Sequence, residues 1–476
     1  MTVSTPSTER TTQDVDAKWL FGLFALLFAL SLILHQLWWD GFEVRSWHFP
    51  VVLAALWVVG RPTSVRRFLT MMALEVFAVA LDMPDVGSHT LLVLMIGACL
   101  LAYVGWTTLR QRRLPDAGTF FEDVAPFLGV QLLFVYAVAA IAKMNTGFFD
   151  VDVSCAASMS RQVAWLAPSL LEGTWRVAPS IWGTVLVEAT LPFLLAVPRT
   201  RLLGLLVGGV FHALLALAGN VPFSALALAL YVVFLPANAP ASLRALTDRH
   251  SRLGHWTGQA RRWGGSPAGF AVAVGCWLAG AGIFAPEPVA RPALISHGTR
   301  LFLLAAVAVG ILLGLGVARR SHVQPLRSLR LGHPVFAVGT LLLVVNSLSP
   351  YVGLKTESSF TMFSNLYTEE GSWNHLFIPE AIRVFPYQDQ LVRVVGSNDR
   401  ALEVSAQNGT QFVRFELERY LRSHPGTSAT YATTAAPGQT TLTTRPNADV
   451  RWATPVLDKI VKFQAVSPPS PGGCSR

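Results

Sequence analysis

Apolar runs of near-bilayer length, separated by arginine-bearing connections, fill residues 19–350 and constrain this chain more than any other feature. A bilayer's hydrocarbon core is about 30 Å thick and takes about 20 consecutive apolar residues as helix. Water is absent there, so every backbone donor must be satisfied within the segment, which favours helices. The runs centre on 19–39, 48–60, 66–82, 88–109, 124–143, 180–197, 202–218, 222–236, 268–285, 300–318 and 334–350. They read as an all-α polytopic membrane bundle of about eleven transmembrane helices. Composition agrees: only 14% of residues are charged and mean hydropathy is +0.46, whereas a soluble domain carries about 25% charged residues. The run at 48–60 is short, and 155–178 is amphipathic, as expected of an interfacial or re-entrant stretch.

Arginines mark alternate connections: Arg61/Arg66/Arg67, Arg110/Arg112/Arg113, Arg199/Arg201, Arg244/Arg249/Arg252/Arg261/Arg262 and Arg319/Arg320/Arg327/Arg330. The intervening connections, such as "DMPDVGSH" and "NTGFFDVDVS", hold almost none. Cytoplasmic loops carry this excess, so the N-terminus is expected inside and the C-terminal region outside a plasma membrane. The net charge of +9 therefore belongs to membrane topology, and no nucleic-acid partner is expected; membrane lipid is.

Residues 1–18 read as a disordered tail, 19–350 as the membrane domain and 351–466 as a small α+β extracytoplasmic domain. The Pro/Gly/Ser-rich 467–476 reads as a second disordered tail. In the outer domain "HLFIPE", "QLVRVV", "SATYATT" and "TTLTT" have strand character. "QFVRFELERYLRSH" spaces Phe412, Phe415, Leu417 and Leu421 like a helix. Cys99, Cys155, Cys276 and Cys474 show no CxxC or Cys/His spacing, so neither a metal site nor a disulfide is expected. Asn408-Gly409-Thr410 fits a glycosylation sequon.

Lys143 closes "LLFVYAVAAIAKMN" and is the sole lysine between Lys18 and Lys355. At a helix end a lysine can snorkel to the interface. The topology instead sets it on the outer side, where positive charge is disfavoured, in a chain that uses arginine for nearly every other positive charge. Lysine differs from arginine in that burial can make it a neutral amine base. Tyr136, Ala139 and Ala140 lead up to it, and small residues admit a neighbouring helix or ligand. His89 opens another helix on the same side, where capping is its alternative role; His35 is a weaker candidate. Glu188 is an intramembrane carboxyl, for which function is the default reading. His212 continues the Gly204/Gly208 stripe, and a structural Glu188–His212 pair stands beside a catalytic role for both.

Together "VYAVAAIAKMN", "PDVGSHTLL", "VEATLPFLLAVPRTRLLGLLVGGVFHALLAL" and "SSFTMFSNLYTEEGSWNHLFIPE" resemble the vitamin K-dependent γ-carboxylase family, whose membrane core is the HTTM domain, and its bacterial members in particular. The resemblance implies that Lys143 deprotonates a reduced, vitamin K-like quinone bound near Tyr136, with His89 assisting and Glu188 and His212 supporting. It implies oxygen-dependent epoxidation coupled to carboxylation of a peptide or protein glutamate on the outer face, a lyase-class reaction, without a metal. Ala142 stands where animal members carry a second lysine, and Ser88 where they carry asparagine. The rival reading is a non-catalytic membrane protein that binds a partner through its outer domain. A transporter is a third option, but no broken-helix symmetry supports it.

Overall fold

A computed structural model describes residues 6–39, 47–163, 174–249, 328–433, 439–442, 455–467 and 474, with a few positions between 300 and 310. The expected spans at 268–285 and, for the most part, 300–318 lie outside the described residues, as does Cys276. The chain divides into two compact units: residues 1–78, 93–134 and 190–340 form one, and 79–92, 135–189 and 341–476 the other.

The described part of residues 1–350 is helical: α1 (Pro6–Trp39), α2 (Phe49–Gly60), α3 (Val65–Asp82), α4 (Ser88–Gln111), α5 (Ala117–Ala142), the short α6 (Thr146–Phe149), α7 (Cys155–Gln162), α8 (Thr174–Ala196), α9 (Arg201–Leu217), α10 (Val221–Tyr231), α11 (Ala239–Arg249) and α12 (Pro334–Leu348). The apolar runs within the described residues were therefore helices, but the count of eleven spans does not stand. Among the described residues four helices are long and apolar enough to cross a bilayer, within α1, α4, α5 and α8. A fifth is added only if α10 and its continuation to Phe234 are joined to α11 across an 89° bend. Charge excludes α3, whose 18 residues include Arg66, Arg67, Glu75 and Asp82; for others the reason is length. At 1.5 Å per residue, the 12 residues of α2 and the 15 of α12 reach only about 18 and 23 Å. The first helix also begins at Pro6, inside the stretch expected to be a loose tail.

In the first unit a phenylalanine cluster holds α1 against α3 and α5. Phe21, Phe24, Phe28, Phe68 and Phe120 are fully buried, and their rings meet at 5.5–6.3 Å. Tilted and edge-on contacts of this kind are the favoured aromatic geometry. Lower down, Phe127 stacks on Phe336 of α12 at 4.8 Å.

The second unit carries the α+β domain. An antiparallel sheet runs in the order β2 (Gln411–Val413), β1 (Leu391–Ser397), β3 (Ala429–Thr433), β4 (Gln439–Leu442). Helices α13 (Arg400–Gln407) and α14 (Arg414–Ser423) bury Leu402, Leu417 and Leu421 against Val392, Val394 and Tyr431. The strand readings of "QLVRVV", "SATYATT" and "TTLTT" match β1, β3 and β4. "HLFIPE" forms no strand: His375 makes one isolated bridge to Asn145, and a 3₁₀ turn follows at Glu380–Ile382. Phe412 belongs to β2 rather than to the helix it seemed to open. The last helix, α15 (Pro455–Ile460), leads to Val461, Phe463 and Val466, which pack on Leu391, Val413 and Phe415.

Asp399 caps α13, its carboxylate accepting from the N–H groups of Ala401 and Leu402 at 3.0 and 3.1 Å. Asp399→Ala removes this cap and is expected to destabilise α13, read as a small, uniform fall in the outer domain's denaturation midpoint.

The expectation of no disulfide is overturned. Cys155, at the start of α7, is bonded to Cys474, 319 residues away in sequence, with Cα atoms 4.5 Å apart. Spacing rules could not find it, because only the tertiary fold brings two such distant cysteines together.

Candidate functional site: a buried lysine–glutamate pair

Helix α5 ends at Ala142, and the turn that follows is built by Asn145, a fully buried side chain. Its Nδ2 donates to the Ala142 carbonyl at 2.7 Å, satisfying one of the last carbonyls that a helix leaves open. The same Nδ2 donates to the Ser364 carbonyl at 2.6 Å. Its Oδ1 accepts from the Phe148 N–H at 2.8 Å, which caps α6, and from Asn374 Nδ2 at 3.3 Å. Lys143 is thereby fixed between two capped helix ends.

The Lys143 amine lies 2.8 Å from Glu188 Oε2, and both residues are nearly sealed, at 4% and 8% exposed. The Phe148 ring stands 5.7 Å from the ammonium, close enough for a cation–π contribution. A snorkelling lysine keeps its charged head in water; this one has its head in the protein, on a carboxylate. The structure pairs Glu188 with Lys143, and not with His212, the partner that one of the two readings of these residues gave it. His212 lies in the other unit, where its Nδ1 sits 3.5 Å from Ser224 Oγ among the rings of Phe211, Phe223 and Tyr231. The glycine stripe beside it does serve close packing: the Tyr231 hydroxyl fills the space a side chain at Gly208 would take.

His89 is buried near the start of α4, its ring folded back over Gly87, which has no side chain to obstruct it. The loop ahead of it is pinned by Asp85, which pairs with Lys462 at 2.9 Å and Arg419 at 3.5 Å. Partial burial pushes the Asp85 carboxyl up, but the hydrogen bonds and charges of Lys462 and Arg419 outweigh it and hold it below the usual value. Tyr136 is buried within α5, and His35 is half-buried on α1 in the other unit.

One strap joins the two helix ends of the second unit. Ser358 Oγ donates to the Val86 carbonyl, and the Phe360 N–H donates to Ser88 Oγ at 3.2 Å. Four residues later Ser364 accepts from Asn145. Residues 360–364 reach at most about 18 Å, so His89 and Lys143 sit on two helix ends tethered by a short piece of chain. The strap is unusual in its backbone: Ser358, Phe360, Phe363 and Asn365 all have φ between 53° and 63°. Side chains in that left-handed region cost roughly 1–2 kcal/mol per residue. Long-range and local hydrogen bonds hold the conformation, including the part-buried Asn346 Nδ2 to Ser358 O at 2.9 Å and the buried Cys155 N–H to Asn365 Oδ1 at 2.7 Å. Such strain clusters at functional sites.

Two further residues border the Lys143 turn. Tyr351 packs with Ala142, Leu366 and Trp373, and its hydroxyl is buried with no hydrogen-bond partner among the described residues. Its ring meets His375 edge-on at 5.4 Å. His375 Nε2 donates to the Ile141 carbonyl at 3.0 Å, while its Nδ1 accepts from the N–H groups of Phe377 and Ile378. That pattern requires neutral imidazole with the proton on Nε2. Burial lowers the His375 pKa, outweighing the hydrogen bond to Ile141, which raises it.

The sign of the pH effect follows. A histidine whose pKa is lower folded than unfolded stabilises the fold at high pH and loses that contribution as pH falls through about 6.5. Below that pH, amide exchange at Phe377 and Ile378, corrected for its intrinsic rate, is expected to accelerate in the wild type. His375→Gln should abolish the pH dependence.

Neither Tyr351 nor His375 carried a signal in sequence beyond lying in or near the quoted "SSFTMFSNLYTEEGSWNHLFIPE". No protein-family model, curated protein or solved structure matches this chain.

Proposed function

We propose that the second unit is a proton-transfer centre of an integral membrane enzyme, with Lys143 as the base acting on a reduced quinone. The carrying observation is the buried Lys143–Glu188 pair at 2.8 Å. An ammonium cannot accept a proton. Passing its proton from Nζ to Glu188 Oε2 gives a neutral amine beside a neutral acid, an arrangement of unchanged net charge. The free lone pair on Nζ then accepts a proton from an acidic hydroxyl placed beside it, and Glu188 keeps the first proton until it is released. Arginine cannot substitute, because its guanidinium does not deprotonate in proteins.

The residues fit such a ligand. The Tyr351 hydroxyl, buried with no partner among the described residues, borders the turn as a donor or acceptor, and the Phe148 ring lies beside the amine. A bound reduced quinone would supply the acidic hydroxyl and, with oxygen, a base strong enough to remove a carbon-bound proton. His89 would assist at the second step, from the helix end held by the same strap. This reading makes the protein a γ-carboxylase-like, HTTM-type enzyme, with oxygenation or carboxylation of a peptide substrate as its outcome.

The Cys155–Cys474 disulfide supports an extracytoplasmic position for this unit, since disulfides persist in oxidising compartments. The arginine bias supports the same side.

The test uses membranes bearing wild type, Lys143→Arg or Glu188→Gln, given reduced naphthoquinone, oxygen and labelled bicarbonate. Quinone epoxide from the wild type alone is the expected result, with protein-bound label if carboxylation is coupled to it. Equal epoxide from the wild type and Lys143→Arg would refute the base assignment.

A further inference from the structure

The segment Leu376–Phe385 combines properties that a water-facing loop has no need to combine. Its apolar side chains point outward: Phe377 is 76% exposed and Val384 73%, with Leu376, Ile382 and Phe385 at 39–49%. Its main-chain donors are nevertheless taken up by the protein. The N–H of Leu376 bonds the Met144 carbonyl, and those of Phe377 and Ile378 bond His375 Nδ1. Ile382 and Arg383 bond Pro379 and Glu380, and Val384 and Phe385 both bond the Val352 carbonyl. Its two charged side chains are paired with each other, Arg383 with Glu380 at 3.1 Å, and Arg383 also reaches Asp389, just beyond the segment, at 2.5 Å. A backbone with most of its donors satisfied and paired charges suit low-polarity surroundings.

Position points the same way. Leu376 is bonded to Met144 and His375 to Ile141, at the very end of α5, a candidate span. Ile141 is itself an exposed apolar residue of that helix, so the patch prolongs the helix's outer apolar surface past its end. A peptide docking by strand addition would need unpaired main-chain donors, and most of these are already bonded.

We propose that Leu376–Phe385 is a wedge that inserts Phe377 and Val384 into the lipid headgroup–acyl boundary of the leaflet where α5 ends. The proposal rests on α5 spanning a bilayer. Aromatic and aliphatic side chains at such boundaries anchor a protein's depth, which here would fix the level of the Lys143 turn relative to the lipid.

The full chain, with Cys99→Ala and Cys276→Ala and its disulfide intact, is placed in lipid nanodiscs. It is spin-labelled singly at Phe377→Cys, Val384→Cys, Glu403→Cys or Phe134→Cys. Glu403 is an exposed position on α13, and Phe134 a 38% exposed one on α5. Collision rates with oxygen, which partitions into lipid, are compared with those of a water-soluble nickel chelate. At 377 and 384 the oxygen-to-nickel ratio is expected several-fold above that at 403. Ratios at 377 and 384 equal to that at 403, with 134 lipid-like, would overturn the wedge alone. A water-like ratio at 134 as well would overturn the spanning reading with it. Protection at 377 and 384 that appears only on adding an acidic peptide would assign the patch to a protein partner and overturn the lipid assignment.

Discussion

Glu188→Leu is expected to destabilise the protein by about 3–5 kcal/mol, and Lys143→Met/Glu188→Leu to restore most of that loss. Removing one member of a buried ion pair strands the other's charge where solvent cannot reach it. Removing both, with apolar residues of similar volume in their place, eliminates the desolvation cost together with the attraction. Lys143 and Glu188 are nearly sealed, with the amine 2.8 Å from the carboxylate, so this asymmetry should be large. Thermal denaturation in detergent would show Glu188→Leu melting well below the wild type and the double replacement near it. Activity separates from stability here. Under the proposed function, the double variant should be folded and wholly inactive in epoxide formation, because no group remains to take the proton. A stable double variant that retained activity would move the chemistry elsewhere. A Glu188→Leu variant as stable as the wild type would mean that the amine finds water after all.

Much of the membrane part was legible because apolarity is a local property. The ends of α4 and α5 and the lysine at the latter can be read from composition alone. The span count failed because hydropathy registers apolar character and not uninterrupted helix length: α2, α9 and α12 are apolar but only 12, 17 and 15 residues long. In the outer domain β1 and β3 are rich in Val, Thr and Tyr and were readable. "HLFIPE" was not, because its apolar residues face outward on a loop. The partner of Lys143 was invisible for a different reason: Glu188 and His212 are both polar groups set in apolar helices, and only packing chooses between them. The strap was hidden most completely. Phenylalanine at two left-handed positions, Phe360 and Phe363, contradicts local preference, so no local rule finds a conformation that long-range hydrogen bonds impose.

That dependence makes Asn145 the most exposed point of the arrangement. Its amide contacts four partners, the Ala142 and Ser364 carbonyls, the Phe148 N–H and the Asn374 amide, without reaching solvent. Asn145→Ala leaves several of these buried groups unsatisfied at about 1–3 kcal/mol each, partly relieved by relaxation. A loss of about 3 kcal/mol or more is expected. Asn346→Ala provides the scale, since its side chain makes one bond, to the Ser358 carbonyl of the same strap, and should cost about 1 kcal/mol. Asn145→Asp keeps the acceptor for Phe148 but loses both donated bonds, and should fall between the two. Melting temperatures of the three variants in one detergent decide the matter. If Asn145→Ala costs no more than Asn346→Ala, the strap is held by packing, and the Lys143 turn does not depend on it. If the ranking holds, the position of Lys143 against Glu188 is set by an asparagine two residues away together with the strap that asparagine grips. Loss of that grip should then lower epoxide formation in the surviving folded fraction as well.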